Sequence, residues 1–168
     1  MSRGENAGMT SLRSVTTADL PALLELNNAA VPAVNALDLA QLTELVDMSA
    51  AALTVDSVEC LLVALRPGLA YASANYRWFS ERYPDFLYVD RIVVGPDARD
   101  AGLGTLLYAE VEDCARRLGV PRITCEVNVV PPNPGSQRFH SRLGFTGVGR
   151  LCGDGGKAVG MMEKALSY

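Results

Sequence analysis

Hydrophobic residues recur along the chain at two spacings, and each spacing predicts one type of element. Leu103–Leu118 places its apolar side chains three and four positions apart, which predicts an amphipathic helix. The same spacing predicts helices after Thr16 and over Asp38–Met48. Short apolar runs predict strands, and these are Leu12–Val15, Cys60–Leu65, Leu69–Ala72, Phe86–Val94, Arg122–Val130 and two more within Phe145–Leu166.

Two further segments complete the order of elements. Ser73–Asp85 is rich in aromatic residues but has neither a helical nor a strand period, and Ser136 is expected to cap a short helix that ends at Gly144. The resulting order is β-α-α-β-β-β-α-β-α-β-β. It predicts one domain over residues 12–168, built on a mixed central sheet covered by helices. The polar residues 1–11 are expected to form a flexible tail.

Composition narrows the class of protein. The chain has 168 residues, 49% hydrophobic and 20% charged, which is typical of one globular domain and not of a disordered chain. A net charge of −4 without a basic stripe argues against nucleic-acid binding, and no apolar run is long enough for a membrane span. The four cysteines show no metal-ligand spacing with the single histidine, His140, so a metal-free, reduced, cytoplasmic protein is expected.

A glycine-containing turn lies between the strand predicted to end at Val94 and the helix that follows. Its residues are Arg99-Asp100-Ala101-Gly102-Leu103-Gly104-Thr105. Unpaired backbone N–H groups at a helix start attract anions, glycines allow a close approach, and an arginine adds positive charge. The turn therefore predicts a pyrophosphate site. It is not a P-loop, because the lysine is missing, and Leu107 stands where a dinucleotide motif needs its third glycine.

Two motifs in the second half of the chain resemble those of the GNAT superfamily, the acetyl-CoA-dependent N-acetyltransferases. That family carries Gln/Arg-x-x-Gly-x-Gly/Ala after its fourth strand, matched here by Arg99, Gly102 and Gly104. It then carries Asn-x-x-Ala-x-x-Phe-Tyr-x-x-x-Gly-Phe, which resembles the run from Asn133 to Phe145. The resemblance implies the acyl-CoA N-acyltransferase fold, an α+β fold of three layers (α/β/α) around a mostly antiparallel sheet of about six to seven strands.

The resemblance also implies how acetyl-CoA, the co-substrate, is held. In the family the pantetheine arm pairs with the backbone of the fourth strand, and the pyrophosphate lies on the turn after it. An asparagine before the last helix reaches the same arm. The cofactor-binding residues implied here are Ile92, Val93, Val94, Arg99, Asp100, Ala101, Gly102, Leu103, Gly104, Thr105, Asn133 and Ser136.

The candidate catalytic residues are a histidine and two carboxylates. His140 stands where the family has the tyrosine that is taken to protonate the departing thiolate. A histidine can do this in its charged form, or it can accept the amine's proton and return it to sulphur. Asp90 and Glu126 lie in predicted strands among apolar residues, where an unpaired carboxylate is costly. Each is therefore either a general base or the partner of an arginine.

The acceptor site is expected beside the aromatic segment, which in the family borders the acceptor. Tyr76, Trp78 and Phe79 either line a pocket for an amine or pack the segment onto the domain. The reaction implied by the resemblance is acetyl transfer to a primary amine of a small molecule or peptide, by direct attack in a ternary complex. The sequence is also compatible with a homodimer.

Two other functions stay open at this stage. The altered tyrosine position leaves room for an acyl-CoA-binding sensor or interaction module without catalysis. The glycine turn alone is also compatible with a general binder of nucleotide phosphates.

Overall fold

The fold consists of five helices and seven strands in the part of the chain that the computed structural model describes, residues 10–168. Residues 1–9, which make up most of the predicted tail, lie outside it. The helices are α1 (Leu20–Ala29), α2 (Leu39–Met48), α3 (Ala74–Ser80), α4 (Leu103–Leu118) and α5 (Pro134–Arg142). The strands are β1 (Leu12–Ser14), β2 (Ala51–Val55), β3 (Cys60–Leu65), β4 (Leu87–Val94), β5 (Arg122–Val130), β6 (Thr146–Cys152) and β7 (Ala158–Ala165).

The strands form one mixed sheet in the order β1-β2-β3-β4-β5-β7-β6. Neighbouring strands are antiparallel except β4 and β5, which are parallel. Helices α4 and α5 contribute to the apolar cluster on one face of the sheet, and α1, α2 and α3 contribute to the cluster on the other face. The three-layer arrangement with a mostly antiparallel sheet is therefore confirmed.

Strand β3 is buried on both faces because helices cover both faces of the sheet at this interior strand. Leu62 and Ala64 belong to the cluster under α4, whereas Leu61, Val63 and Leu65 belong to the cluster under α1 and α2. Successive side chains of a strand point to opposite faces, so a continuous apolar run is what a doubly covered strand requires. This explains why the sequence shows a run here and not an alternation.

The sequence and the structure differ around the aromatic segment. The predicted strand Leu69–Ala72 does not form, because the Leu69 N–H donates to the hydroxyl of Tyr76 (3.0 Å) and not to a strand. The segment contains helix α3, capped by Ser73, whose hydroxyl accepts the N–H of Tyr76. Strand Ala51–Val55 was not predicted; its short, alanine-rich sequence pairs with both β1 and β3.

Candidate functional site

Strands β4 and β5 separate soon after they begin, and the gap between them is the centre of the site. Across the described residues, their pairing joins Leu87 to Ile123 and Tyr88 to Thr124 and goes no further. A cavity of about 920 Å³ opens beyond these pairs. It is lined from both faces of the sheet, by residues of β4, β5, α2, α4, α5 and the loop after α1. Strand backbone along this gap is available to a ligand.

Glu126 on β5 is one of the carboxylates that line the cavity. The hydroxyl of Tyr88 on β4 lies 2.9 and 2.8 Å from its two oxygens. Burial and, after it, the nearby charge of Asp90 raise the pKa of Glu126 to about 8, against the lowering effect of hydrogen bonds from Tyr88 and Asn75. Glu126 therefore changes its protonation state close to neutral pH, as a general base must.

Asp90 on β4 is already paired on both of its oxygens. One oxygen accepts the hydroxyl of Tyr71 at 2.5 Å, and the other accepts Nε of Arg91 at 2.8 Å. The Arg91 guanidinium continues to the side-chain oxygens of Asn27 and Asn35, at 2.7 and 2.9 Å. Both charged side chains of the pair are almost fully buried. This network ties the loop after α1 to the wall of the cavity.

His140 on α5 reaches the cavity from the opposite face. Its Nε2 atom lies 2.6 Å from the hydroxyl of Tyr108 on α4, and its Nδ1 atom lies 2.8 Å from the backbone carbonyl of Ser136. His140 and Tyr108 are both 3% exposed, and burial lowers the pKa of the imidazole. The ring is therefore neutral at physiological pH.

The loop before α5 is organised by Asn133. The side-chain oxygen of Asn133 accepts the backbone N–H of Ser136 at 3.2 Å, and the backbone N–H of Asn133 donates to the carbonyl of Asn128. Asn133 is thus the N-cap of α5, and the expectation that Ser136 caps the helix was wrong. The side-chain amide nitrogen of Asn133 is not needed for the cap, and the residue lines the cavity.

The glycine turn has the geometry of an anion site. Gly102 adopts a left-handed conformation (φ 73°) immediately before α4, and a side chain there would be strained. The first intrahelical bond runs from the N–H of Leu106 to the carbonyl of Gly102, so the three N–H groups ahead of it start the helix without such partners. Arg99 is exposed beside them. The side chain of Asp100 lies outside the described residues.

Comparison with known proteins identifies the family. The model of the acetyltransferase (GNAT) family matches residues 40–145, more than half of the chain. The chain belongs to this GNAT family. The family, the enzyme class and the use of acetyl-CoA, all predicted from the sequence, are therefore confirmed.

Solved structures of other GNAT proteins share the fold. Ard1 from Thermoplasma volcanium is 13% identical with a TM-score of 0.77, over 94% of this chain and 98% of that one. NAA60 from Arabidopsis thaliana, solved with acetyl-CoA, is 17% identical with a TM-score of 0.74, over 93% and 99%. The ribosomal-protein-alanine N-acetyltransferase of Brucella melitensis is 24% identical with a TM-score of 0.66, over 93% and 99%. At these identities the likeness establishes the fold alone.

The structure brings six of the eighteen site residues predicted from the sequence together around one cavity. The cavity is lined by Asp90, Ile92, Glu126, Asn133, Ser136 and His140, which come from β4, β5 and α5. Val93 and Val94, the last two residues of β4, lie outside its lining, and so does the turn Arg99–Thr105, which follows the end of that strand. Their roles toward the cofactor stay predictions.

Gly104 has a structural reason to be a glycine. A Cβ at this position would lie 2.9 Å from Cζ of Phe139, so the missing side chain lets α5 pack closely on α4. The second glycine of the GNAT motif thus serves helix packing here, whether or not it also admits a phosphate.

The predicted aromatic wall of the acceptor site needs correction. Tyr76 and Phe79 are 3% and 0% exposed and belong to the core under α3, and the Tyr76 hydroxyl donates to the carbonyl of Arg66. Trp78 packs against Gly149 of β6 and under the guanidinium of Arg82. None of the three aromatic residues lines the cavity, because α3 turns them toward the sheet.

Three tyrosines of the cavity escaped prediction: Tyr71, Tyr88 and Tyr108. Tyr108 carried a usable signal, because it lies on the buried stripe of α4 and a buried tyrosine hydroxyl needs a partner. The partner could not be read from the sequence, since His140 is 32 positions away. The same holds for Tyr88 and Glu126, which are 38 positions apart.

Among residues 10–168, no group of three or more histidine, cysteine, aspartate or glutamate side chains is placed to hold a metal ion. No helix in the same part of the chain is both long and apolar enough to cross a membrane.

Proposed function

We propose that the protein transfers the acetyl group of acetyl-CoA directly to an amine that is bound at the same time. The observation that carries this proposal is a carboxylate, Glu126, placed in a cavity between two separating strands with its pKa raised to about 8. A module that only binds acyl-CoA has no use for a partly buried acid that titrates near neutral pH.

The donor side of the site suits acetyl-CoA. The start of α4 with Gly102 and Arg99 offers N–H groups and a positive charge to the pyrophosphate. The open edge of β4 at Ile92 offers backbone groups to the amide-containing pantetheine arm, and Asn133 faces the same space. A strand N–H in this gap also stabilises the oxygen of the tetrahedral intermediate.

The amine needs a base because it arrives protonated. A primary amine with a pKa of about 10.4 is deprotonated in roughly one molecule per thousand at pH 7.4, which costs about 4 kcal/mol. Glu126 in its ionised form accepts that proton and passes it to water. Asp90 is the weaker candidate, because Tyr71 and Arg91 already occupy both of its oxygens. We assign Glu126 as the general base and Asp90 as a positioning residue.

The polar groups of the cavity can receive an amine. Asp90 and Arg91 neutralise each other, so Glu44, Glu126 and Lys157 are the remaining charged lining residues, and two of these three are carboxylates. The acceptor we propose is a primary amine on a small molecule or a peptide. The peptide alternative gains support from the Brucella melitensis protein, whose name makes a ribosomal-protein alanine its acceptor.

Thiol release from acetyl-CoA tests the proposal. The purified protein is incubated with acetyl-CoA and a panel of polyamines, amino acids and short peptides, and acetyl-CoA affinity is measured separately by calorimetry. We expect release that depends on one class of amine and that is lost in Glu126→Gln. Tight acetyl-CoA binding with no release on any amine would identify a sensor instead. Tight ATP binding without coenzyme A binding would identify a phosphate binder.

A further inference from the structure

The carbonyl of Ser136 fixes which nitrogen of His140 carries the proton. A carbonyl oxygen only accepts hydrogen bonds, so Nδ1, 2.8 Å away, holds the ring proton. Burial keeps the ring neutral, which makes Nε2 an acceptor. The Tyr108 hydroxyl, 2.6 Å from Nε2, therefore donates to it. His140 has no N–H left to give directly to a departing sulphur.

Tyr108 is the member of this pair that can present an oxygen to the reacting atoms. It lines the cavity, and after donating to His140 its oxygen still has lone pairs to accept a proton. Its ring is held by Phe139 and Phe145, whose centroids lie 5.9 and 5.4 Å away. Besides His140, the titratable groups close enough to act on the hydroxyl are Cys125 and Glu126, both on β5. Cys125 packs in the same apolar cluster as Tyr108. Because consecutive side chains of a strand point to opposite faces, Glu126 approaches the gap from the other face of the sheet.

We propose that the Tyr108 hydroxyl carries a proton from the acceptor nitrogen to the sulphur of coenzyme A, and that His140 holds a proton between the two steps. Tyr108 is then a catalytic residue, and His140 acts through it as a positioning residue. This inference rests on the proposed function, because it needs an amine and a thioester in the cavity together.

The proton balance closes without a further reactant. When the neutral amine attacks the thioester carbon, a carbon–nitrogen bond forms and the nitrogen carries a surplus proton. That proton passes to the Tyr108 oxygen while the hydroxyl proton of Tyr108 passes to Nε2 of His140. When the carbon–sulphur bond breaks, sulphur takes the proton from the Tyr108 oxygen, and Nε2 returns its own. The products are a neutral amide and a neutral thiol.

Moving both protons together avoids a phenolate. Burial raises the pKa of Tyr108 far above its ordinary value, and the charge of Glu126 acts in the same direction. A tyrosine that simply lost its proton to sulphur would leave a buried anion. Because His140 gives or takes a proton at the same moment, the Tyr108 oxygen never carries the full charge.

Tyr108→Phe tests the inference by removing one oxygen and keeping the ring. We expect kcat for thiol release to fall about 10²- to 10³-fold with the acetyl-CoA dissociation constant unchanged. Tyr168→Phe is the control, since it also loses one hydroxyl group, which lies away from the cavity and contacts the carbonyls of Val120 and Ala115. Its kcat should stay within twofold of the wild type.

His140→Gln separates the proton-holding role from packing. An amide oxygen can still accept the hydroxyl of Tyr108 but cannot take its proton. In the wild type, log kcat should fall by about one per pH unit as the pH is lowered and Glu126 becomes protonated. At more acidic pH it should fall more steeply, because His140 also becomes protonated. The variant should lose the steeper part, because only Glu126 then titrates. If His140 had only a structural role, His140→Gln would lower kcat by the same factor at every pH.

The outcomes separate the two proposals. If the wild type turns over and Tyr108→Phe has the same kcat, the proton shuttle is overturned and the proposed acetyl transfer stands. If Tyr108→Phe fails to bind acetyl-CoA because it is misfolded, the pH profile of His140→Gln decides alone, and an unchanged steep acid limb overturns the shuttle. Absence of wild-type turnover on any amine, with acetyl-CoA bound, overturns the proposed function and the shuttle with it.

Discussion

The hydroxyl of Tyr88 on β4 lies within 2.9 Å of both carboxylate oxygens of Glu126 on β5, at the point where the two strands separate. The bond joins the two strands immediately beyond their last backbone pair. It also holds the carboxylate toward the cavity, because the tyrosine ring is fully buried and fixed. The carboxylate that we propose as the base is thus positioned by the same bond that marks the opening of the sheet.

The first prediction concerns the pH dependence of turnover. Because burial raises the pKa of Glu126 to about 8, kcat should rise roughly tenfold per pH unit from pH 6.5 to 7.5 and level off above pH 8. Glu126→Gln should lower kcat about 10²- to 10⁴-fold and flatten the profile over this range. Thiol release between pH 6 and 9 measures both. A wild-type profile that is flat across pH 8 would exclude Glu126 as the base.

The second prediction concerns stability of the same variant. A carboxyl group whose pKa is raised on folding binds its proton more tightly in the folded protein, so wild-type stability falls as pH rises from the ordinary value of 4.5 to about 8. Glu126→Gln lacks this loss. Its advantage in free energy of unfolding should be small at pH 5 and grow to a few kcal/mol at pH 8.5. Urea unfolding at both pH values checks this, and a constant difference would contradict it.

The third prediction separates Asp90 from Glu126. Asp90→Asn leaves the buried guanidinium of Arg91 without its counter-charge, so it should lower the free energy of unfolding by about 3 kcal/mol or more. The double variant Asp90→Asn/Arg91→Gln should recover at least half of that loss, because no unpaired charge remains. Chemical denaturation of the three proteins gives the values. If Asp90→Asn keeps full stability but loses turnover as Glu126→Gln does, Asp90 belongs to the chemistry.

The fourth prediction tests the phosphate seat at the start of α4. Arg99→Ala should weaken the binding of coenzyme A about tenfold, the typical effect of losing one charge-assisted hydrogen bond. The affinity for pantetheine, which has no pyrophosphate, should stay unchanged. Arg116→Ala, which changes another exposed arginine near the other end of α4, is the control and should bind coenzyme A normally. Calorimetry with both ligands measures the difference. Equal affinities for coenzyme A in all three proteins would remove Arg99 from the site.

The fifth prediction concerns the close contact between α4 and α5. Gly104→Ala places a methyl group 2.9 Å from the ring of Phe139, which should cost about 1–3 kcal/mol of stability through overpacking. In the double variant Gly104→Ala/Phe139→Leu the smaller side chain removes the clash, so the two effects should be strongly non-additive. Additive losses in thermal unfolding would show that the contact is not responsible.

Much of the fold was predictable because its signals are local. The helix Leu103–Leu118 and the strands Cys60–Leu65 and Arg122–Val130 were predicted with the observed bounds, since each has an uninterrupted periodic or apolar pattern. Ala51–Val55 was missed because its strand character comes from pairing with neighbours and not from its own residues. Leu69–Ala72 was wrong because a distant hydroxyl claims the backbone group a strand would need.

The site was predictable where a residue conflicted with its surroundings. Asp90 and Glu126 drew attention as charges within apolar strands, and the structure places both in one cavity. What each carboxylate does depends on a partner that is distant in sequence, Tyr71 for Asp90 and Tyr88 for Glu126. The predicted aromatic lining of the acceptor site was wrong for a related reason, because only the tertiary fold determines which face of α3 packs against the core.

The short parallel contact between β4 and β5 has a mechanical consequence. Within the sheet, strands β1 to β4 are joined to strands β5 to β7 only by the two residue pairs at Leu87 and Tyr88. Beyond these pairs, a ligand bound between β4 and β5 supplies the contacts that hold the two parts of the sheet together. We therefore expect bound cofactor to raise the free energy of unfolding and to slow the hydrogen exchange of backbone amides along the gap between β4 and β5. The sheet of such an enzyme is most rigid when its cofactor is bound.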